Sequence, residues 1–526
     1  MTLLPSALRK RALDKDLKKI VALEAIGHQG GLRLVPLGLS LVFLALVFVM
    51  TAGQTGVDQG AWLIVAAAVI GGYMALNIGA NDVANNMAPA VGARALSMGG
   101  ALLVAAVCEA AGALIAGADV VSTVSKGIID PAAVGDRGVF VALMMAALLG
   151  AALWLNLATW LEAPVSTTHS IVGGVLGAGL AAAGFGAANW PVMGAIAASW
   201  VVSPMLGGLA AAAMLALLDR LIIQADDRVA AARRWVPVVV AVTAAAFSAY
   251  LVQKGLSKVW RPPLWMLALL AAGVFAVALV AVGRLVARQA PALDNSKKAI
   301  GTLFTAPLIV AAALLSFAHG ANDVANAIGP LAAIAAAVQG AAGAKVVVPG
   351  WIMLIGAAGI SLGLALFGPR LIRMVGEKIT KLNPVRAFCV ALSAAVTVLA
   401  ASALGLPVSS THIAVGAVFG VGLARERHAR RGGHIRRQAR LNEAARATAI
   451  EDEVPPRATA DGWLPGMEPD PAQDPLTIRK AAKRRLVRRR HLLTIAAAWL
   501  VTVPLSAVIS AMLFLAMVRL VPGLEG

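Results

Sequence analysis

The chain has 526 residues, of which 60% are hydrophobic and 13% are charged, and its mean hydropathy is +0.82. A soluble domain is about half apolar and about a quarter charged, so this composition excludes a soluble globular protein. The net charge of +19 does not indicate nucleic-acid binding, because 21 of the 45 Lys and Arg residues lie beside apolar segments at 9–19, 425–440 and 479–490, as in the cytoplasmic flanks of membrane helices.

Apolar runs follow one another along almost the whole chain. They lie at about 32–52, 61–91, 98–117, 138–160, 168–183, 191–218, 235–253, 263–283, 301–331, 350–368, 387–406, 413–424 and 492–520. Since about 20 apolar residues in a helix cross a bilayer, the runs predict an all-α polytopic membrane protein with about 11–13 membrane segments. The first run is longer than the apolar part of a signal peptide, so we expect a retained helix there.

One polar motif occurs twice inside this membrane-grade sequence. Gly-Ala-Asn-Asp-Val-Ala-Asn begins at Gly79, near the end of one long apolar run, and begins again at Gly320, near the end of another. Ionisable residues are costly to bury in a membrane and mark functional sites there. The two motifs therefore predict a transport or binding site within the membrane.

A second motif is also duplicated. The two short apolar runs each follow Pro-Val-Ser-(Thr/Ser)-Thr-His, which begins at Pro164 and at Pro407. Proline cannot continue a preceding helix, and Ser or Thr caps the next one, which we expect to begin at about Thr168 and Thr411. The short runs are therefore predicted as half-helices or as arms of re-entrant hairpins.

The spacing of the motifs indicates one duplicated unit. Asn81 precedes Ser166 by 85 residues, and Asn322 precedes Ser409 by 87 residues. With the exception of the basic loop at 254–262, the distribution of Lys and Arg among the loops favours opposite directions across the membrane for the two Asn-Asp segments. This pattern predicts an inverted-repeat secondary transporter with broken helices and two re-entrant hairpins, whose site lies between the repeats.

The predicted organisation has six parts. They are a cytoplasmic tail and extra membrane helix (1–60), the first inverted repeat (61–234), connecting membrane helices (235–300), the second inverted repeat (301–424), a basic and largely disordered cytoplasmic loop (425–490), and a final membrane helix that completes the second repeat (491–526).

The Asn-Asp motifs have the residue types of a cation site. Asp82 and Asn85 lie three residues apart and share a helix face, as do Asp323 and Asn326. We expect the Gly and Ala before each motif to loosen the helix and free backbone carbonyls. Together with a carboxylate, these would provide hard oxygen ligands for a small cation.

The hydroxyl-rich motifs have the residue types of an anion site. A helix amino terminus presents free N–H groups and partial positive charge, and the adjacent Ser and Thr hydroxyls add donors. Two such termini facing each other would hold a tetrahedral oxyanion. Because the motifs contain no Arg or Lys, we expect the anion to bind only after Na⁺ or H⁺ has neutralised Asp82 and Asp323.

Together the four motifs resemble the signatures of the inorganic phosphate transporter (PiT) family, over roughly 61–425 and the last helix. The resemblance implies cation-coupled import of phosphate by alternating access, a homodimer and no cofactor beyond the coupling ion. We expect the protein to lie in the cytoplasmic (inner) membrane of a bacterial cell. The resemblance also identifies a membrane-embedded carboxylate, Glu109.

The expected site residues form two overlapping sets. The phosphate ligands are Asp82, Asn85, Ser166, Thr167, Thr168, Asp323, Asn326, Ser409, Ser410 and Thr411. The ligands of Na⁺ or H⁺ are Asn81, Asp82, Glu109, Asn322 and Asp323. No other metal is expected.

Two other functions are compatible with the residues. A sulfate permease of the same fold would use the same hydroxyl cradle, although phosphate can donate a hydrogen bond to a carboxylate and sulfate cannot. A membrane-embedded serine hydrolase would use Ser166 or Ser409 with His169 or His412. Duplication argues against the hydrolase, because a catalytic site needs one nucleophile. The two histidines are either proton carriers or hydrogen-bonded residues of the hairpins.

Overall fold

The structure is a computed structural model, and it describes residues 34–55, 59–161, 163, 165–255, 260, 262–340, 348–375, 382–427 and 489–520. The predicted amino-terminal tail and most of the predicted loop at 425–490 lie outside these residues. The six-part organisation of the chain therefore stays a prediction.

The described part of the chain is helical apart from connecting turns and one isolated β-bridge. Its helices are α1 (Leu34–Thr55), α2 (Gln59–Gly92), α3 (Met98–Ala116), α4 (Ala118–Ser122), α5 (Pro131–Val134), α6 (Arg137–Trp160), α7 (Thr167–Ala183), α8 (Trp190–Leu218), α9 (Arg228–Gly255), α10 (Leu264–Gln289), α11 (Lys297–Leu303), α12 (Thr305–Val338), α13 (Gly350–Met374), α14 (Pro384–Ala403), α15 (residues 410–427) and α16 (Arg489–Leu520). Within the described ranges, eleven helices are long and apolar enough to cross a membrane, which agrees with the prediction.

Helices of the two predicted inverted repeats pack on each other. Helix α2 of the first repeat packs most extensively on α13 of the second, and α12 of the second packs on α3 of the first. The short helices follow the same rule, because α7 packs on α16 and Gly416 of α15 lies against Pro204 of α8. Each repeat therefore depends on the other for its core.

Glycine allows these helices to cross closely. A Cβ atom at Gly79 would collide with the carbonyl oxygen of Ile360 on α13, and a Cβ atom at Gly320 would collide with the carbonyl oxygen of Glu109 on α3. Close approach of backbones through small residues is how membrane helices associate. The glycines of the Asn-Asp motifs therefore set two equivalent helix crossings.

The loosened turn that we expected before each Asn-Asp motif is absent, and that expectation was wrong. Helices α2 and α12 each run for 34 residues through their motif. The glycines serve helix packing instead, and continuous hydrogen bonding keeps the backbone carbonyls occupied. The breaks occur at the hairpins, where α7 is only 17 residues long.

The hairpin helices begin where their motifs predicted, to within a residue. The backbone N–H of His169 donates to Ser166 Oγ at 3.2 Å, and the N–H of His412 donates to Ser409 Oγ at 3.2 Å. Each serine thus satisfies one of the N–H groups that a helix leaves free at its amino terminus.

Helix α10 lies apart from the core. None of its most apolar 18-residue window is buried inside the structure, and large apolar side chains such as Leu264, Leu269 and Val277 are exposed. A helix that is apolar on its outer surface is stable where lipid surrounds it. This surface agrees with a membrane protein.

We predict that Gly320→Ala destabilises the protein, because its Cβ would meet backbone of α3, which cannot move aside as a flexible side chain can. The overpacking should cost about 1–3 kcal/mol. Thermal unfolding of detergent-purified protein measures the effect. The control is Gly273→Ala on α10, where an added Cβ meets no atom within 4 Å; equal melting temperatures for the two variants would contradict this account of the crossing.

Candidate functional site

Four elements meet at one buried point between the repeats. Asp82 on α2 and Asp323 on α12 are 0% and 1% exposed. The amino-terminal ends of α7 and α15 reach them with their hydroxyl groups. The structure thus places all four predicted motifs together.

Three donors hold the Asp82 carboxylate. The Thr167 hydroxyl donates to Asp82 Oδ2 at 2.9 Å, and the Thr411 hydroxyl donates to Oδ1 at 3.0 Å. The half-buried Asn85 donates from Nδ2 to Asp82 Oδ1 at 3.2 Å and to Thr411 Oγ1 at 2.8 Å. Asp82 is therefore bonded to both hairpins.

The Asp323 carboxylate has fewer donors. The Ser410 hydroxyl donates to Asp323 Oδ2 at 2.9 Å, while Asp323 Oδ1 is buried and has no hydrogen-bond partner among the described residues. Asn326 donates to the first hairpin instead, at 3.3 Å to Thr167 Oγ1 and 3.2 Å to Thr168 Oγ1. The two aspartates are thus equivalent in sequence and unequal in their surroundings.

The first asparagine of each motif occupies an equivalent position. Asn81 donates to Thr159 Oγ1 at 3.1 Å on α6, and Asn322 donates to Ser402 Oγ at 2.9 Å on α14. The side-chain oxygens of both are buried without a hydrogen-bond donor in the described structure. An amide oxygen in this state is a hard ligand suited to a small cation.

Ser166 and Ser409 differ from the other hairpin hydroxyls because they cap their helices. The His169 ring nitrogens are buried and make no hydrogen bond in the described residues, so Ser166 has no bond to that ring. The nucleophile–base contact that a serine hydrolase needs is therefore absent at this hairpin. The His169 ring instead packs against Trp200 and His412, with ring centroids 3.8 Å and 4.4 Å away.

One residue of the site was missed by sequence reasoning. His319 of α12 is fully buried, and its Nε2 lies 2.9 Å from Asp323 Oδ2 and 3.6 Å from Asp82 Oδ2. Asp82, His319 and Asp323 each offer one ligand atom within 4.8 Å of the others, a grouping that can hold a cation. The available signal was a lone polar residue four positions before Asp323, where the first repeat has Ile78.

Glu109 lies beside this group, and its two carboxylate oxygens have different surroundings. Its Oε2 lies 3.1 Å from His319 Nδ1, and Asn86 Nδ2 donates to its Oε1 at 2.9 Å. Asn86, which had no assigned role in the sequence, thus holds a buried carboxylate. Glu109 Oε2 is buried and makes no hydrogen bond in the described structure.

Comparisons with known proteins identify one family. A family model described as the phosphate transporter family matches residues 78–510. A relative from Helicobacter pylori (strain J99), which carries the name "Putative phosphate permease", is 46% identical over 513 residues, covering 91% of this chain and 95% of the relative. Inorganic phosphate transporter 2-1 from Arabidopsis thaliana is 38% identical over 410 residues, covering 72% and 69%.

A solved structure is similar as well. It is described as the sodium-dependent phosphate transporter, with a TM-score of 0.72 and 34% sequence identity, and the match covers 87% of this chain and 100% of that one.

Proposed function

This chain belongs to the phosphate transporter family, and from that premise we propose that it is a Na⁺-coupled symporter that imports inorganic phosphate by alternating access. The family and the relatives are transporters and permeases, so the activity is transport and not catalysis. The observation that carries the proposal is the bonding of the hairpin hydroxyls to the two buried aspartates.

These hydroxyls are the donors that a phosphate ion would need. Thr167, Ser410 and Thr411 each donate to a carboxylate oxygen, and a hydroxyl has only one proton to give. Phosphate and the aspartates therefore compete for the same hydrogen bonds. A cation bound to the carboxylates weakens their hold, and the hydroxyls then turn to the anion.

Electrostatic repulsion also requires the cation to bind before the anion. Two carboxylates repel a phosphate anion strongly in a buried site of low dielectric. Neutralising Asp82 and Asp323 removes that repulsion and leaves the partial positive charge at the amino termini of α7 and α15 to attract the anion. Coupling follows because neither ion binds well without the other.

Unpartnered oxygens favour Na⁺ over H⁺ as the coupling ion. Asp323 Oδ1 and the amide oxygens of Asn81, Asn322 and Asn326 are buried without hydrogen-bond donors in the described structure. A proton can bind to a carboxylate but not to an amide oxygen, whereas both kinds of oxygen can coordinate Na⁺. The similar solved structure is described as sodium-dependent, which supports the same choice.

The position of the site suits alternating access. Hydrogen bonds from Asn85 to Thr411 and from Asn326 to Thr168 cross between the repeats. Movement of the hairpins must break and remake these bonds, so the ions at the site bias the movement. We also propose that the protein lies in the cytoplasmic membrane of a bacterial cell and forms a homodimer. These two points rest on the resemblance of the motifs.

We predict that purified protein in liposomes takes up radiolabelled phosphate when an inward Na⁺ gradient is imposed. An inward proton gradient without Na⁺ should drive little uptake, and excess unlabelled sulfate should compete poorly. Uptake driven only by the proton gradient would show that the coupling ion is H⁺ and not Na⁺. Absence of phosphate uptake, or its inhibition by excess sulfate, would overturn the proposal.

We also predict that Asp82→Asn and Asp323→Asn each reduce Na⁺-driven uptake at least about tenfold, since interactions with a charged partner contribute about 1.5–3 kcal/mol. The amide keeps the shape of the side chain, so the melting temperature should change little. The control is Asp227→Asn, an exposed residue that accepts from the Ala230 N–H and that Asn can replace. Wild-type uptake rates in either site variant would contradict the role given to the aspartates.

A further inference from the structure

Two equivalent threonines of the hairpins donate their protons to different kinds of acceptor. Thr168 of α7 corresponds to Thr411 of α15, because each is the third hydroxyl residue of its motif. The Thr411 hydroxyl donates to Asp82 Oδ1 at 3.0 Å, whereas the Thr168 hydroxyl donates to the backbone carbonyl of Val408 at 3.0 Å. One threonine thus holds a carboxylate, and the other holds the backbone of the opposite hairpin.

The other side-chain contacts of the two threonines are equivalent. Asn85 Nδ2 donates to Thr411 Oγ1 at 2.8 Å, and its counterpart Asn326 Nδ2 donates to Thr168 Oγ1 at 3.2 Å. Both threonine residues are 1% exposed. Since a hydroxyl has only one proton to donate, the difference between the two hairpins lies in where that proton goes.

This difference leaves one aspartate oxygen without a donor. Asp82 Oδ1 accepts from Thr411, whereas Asp323 Oδ1 is buried and has no hydrogen-bond partner in the described ranges. The equivalent donor for Asp323 Oδ1 would be the Thr168 hydroxyl, but its proton is directed at Val408. The missing bond of Asp323 is therefore the counterpart of a bond that Asp82 has.

The next residue of each hairpin helix contacts its own counterpart. The rings of His169 and His412 pack edge to face with their centroids 4.4 Å apart, and both residues are buried. Alternating access moves one repeat against the other around a fixed site. A contact between two equivalent residues is unchanged when the repeats exchange conformations, so this contact can persist while the neighbouring threonines change partners.

We propose that Thr168 and Thr411 are a switch whose two bonding patterns exchange between the two facing states of the transporter. This structure is the Asp82-bonded state, in which Thr411 donates to Asp82. In the Asp323-bonded state, Thr168 donates to Asp323 Oδ1 and Thr411 donates to the backbone carbonyl of Val165, the counterpart of Val408. This inference rests on the proposed function.

The switch decides which aspartate is available to the cation. In the Asp82-bonded state, Asp323 Oδ1 has no donor to lose, so Na⁺ binds there without breaking a hydrogen bond. In the Asp323-bonded state, the available oxygen belongs to Asp82. Each facing state therefore presents one aspartate to the first cation, and the two aspartates alternate in that role.

Bound phosphate allows the exchange to occur. In the proposed transport cycle both threonine hydroxyls donate to the anion, so the bonds of either pattern are broken while phosphate is bound. When phosphate leaves, each hydroxyl donates again to a carboxylate or to the opposite hairpin. A change of pattern at this step accompanies the change of facing state.

The alternative is a fixed asymmetry. His319 Nε2 lies 2.9 Å from Asp323 Oδ2, and the first repeat has Ile78 in its place. If this neighbour kept Thr168 away from Asp323, one pattern would hold in both facing states. The sequence favours the exchange, because the residues that donate and accept these bonds are identical in the two repeats.

The test measures the distance between the hairpins when each threonine is replaced by valine. Spin labels are attached at Phe185→Cys, beyond the end of α7, and at Leu404→Cys, at the end of α14; the two native residues are 73% and 75% exposed. The two native cysteines, Cys108 and Cys389, are replaced by Ala. Distances are measured by electron paramagnetic resonance in lipid nanodiscs without Na⁺ or phosphate.

The two equivalent substitutions should shift the distance distribution in opposite directions. Thr411→Val removes a bond to a carboxylate from the Asp82-bonded state but only a bond to a carbonyl from the other state, so it should reduce the Asp82-bonded fraction. Thr168→Val has the reverse effect. Because a hydrogen bond to a charged group is the stronger one, each variant should change the ratio of the two states about fivefold.

Two further kinds of variant separate the switch from a structural role. Thr168→Ser and Thr411→Ser keep the hydroxyl and should restore the wild-type distribution. The control is Thr243→Val on α9, whose hydroxyl donates to the Val239 carbonyl within the same helix, and this variant should change nothing.

Two results would overturn the inference. One is a Thr411→Val variant that keeps the wild-type fraction of the Asp82-bonded state. The other is a Thr168→Val variant that lowers this fraction as much as Thr411→Val does, since a fixed asymmetry or a general loss of packing would act in that way.

The inference and the proposed function can fail separately, because the distances are measured without substrate. If the wild type takes up no phosphate, the proposed function fails, and the distances still show whether the two bonding patterns exchange. If the wild type transports phosphate with Na⁺ while the two valine variants shift the distances alike, only the switch fails.

Discussion

The main constraint on the structure is that two aspartates are buried at the centre of a membrane protein and must be stabilised there. Asp82 and Asp323 are almost completely inaccessible, and a buried carboxylate is costly unless other groups stabilise it. Here the stabilisation comes from hydroxyls at the amino termini of two half-helices and from the His319 ring. The amino termini of the half-helices and the close helix crossings lie where they bring these groups to the aspartates.

In the mechanism that we propose, this stabilisation also couples the two ions. The groups that satisfy the aspartates are the groups that an oxyanion would use, so the anion donors would become available only when a cation competes for the carboxylates. The two aspartates are placed unequally for such an exchange, because Asp82 receives three donors and Asp323 receives one, together with the contact to His319. A duplicated unit has thereby produced two different halves of one site.

The sequence predicted the parts that local pattern determines. Apolar run lengths gave the membrane helices, and the duplicated motifs identified Asp82, Asp323 and the hydroxyl triplets that the structure brings together. The sequence could not show which helix crosses which, because the helices pair between repeats. For that reason the glycines of the motifs were misread as points of loosening, and His319 and Asn86 were left without a role: their partner Glu109 lies on a different helix from both.

The most direct test of the account is phosphate binding to the purified protein, measured by calorimetry with and without Na⁺. In the wild type, phosphate should bind measurably only when Na⁺ is present. In the Asp82→Asn, Asp323→Asn double variant, whose amides have no charge to neutralise, phosphate should bind equally with and without Na⁺ although transport is lost. Tight, Na⁺-independent binding to the wild type, or binding to the double variant that still requires Na⁺, would contradict the claim that the aspartates hold the anion donors until a cation releases them.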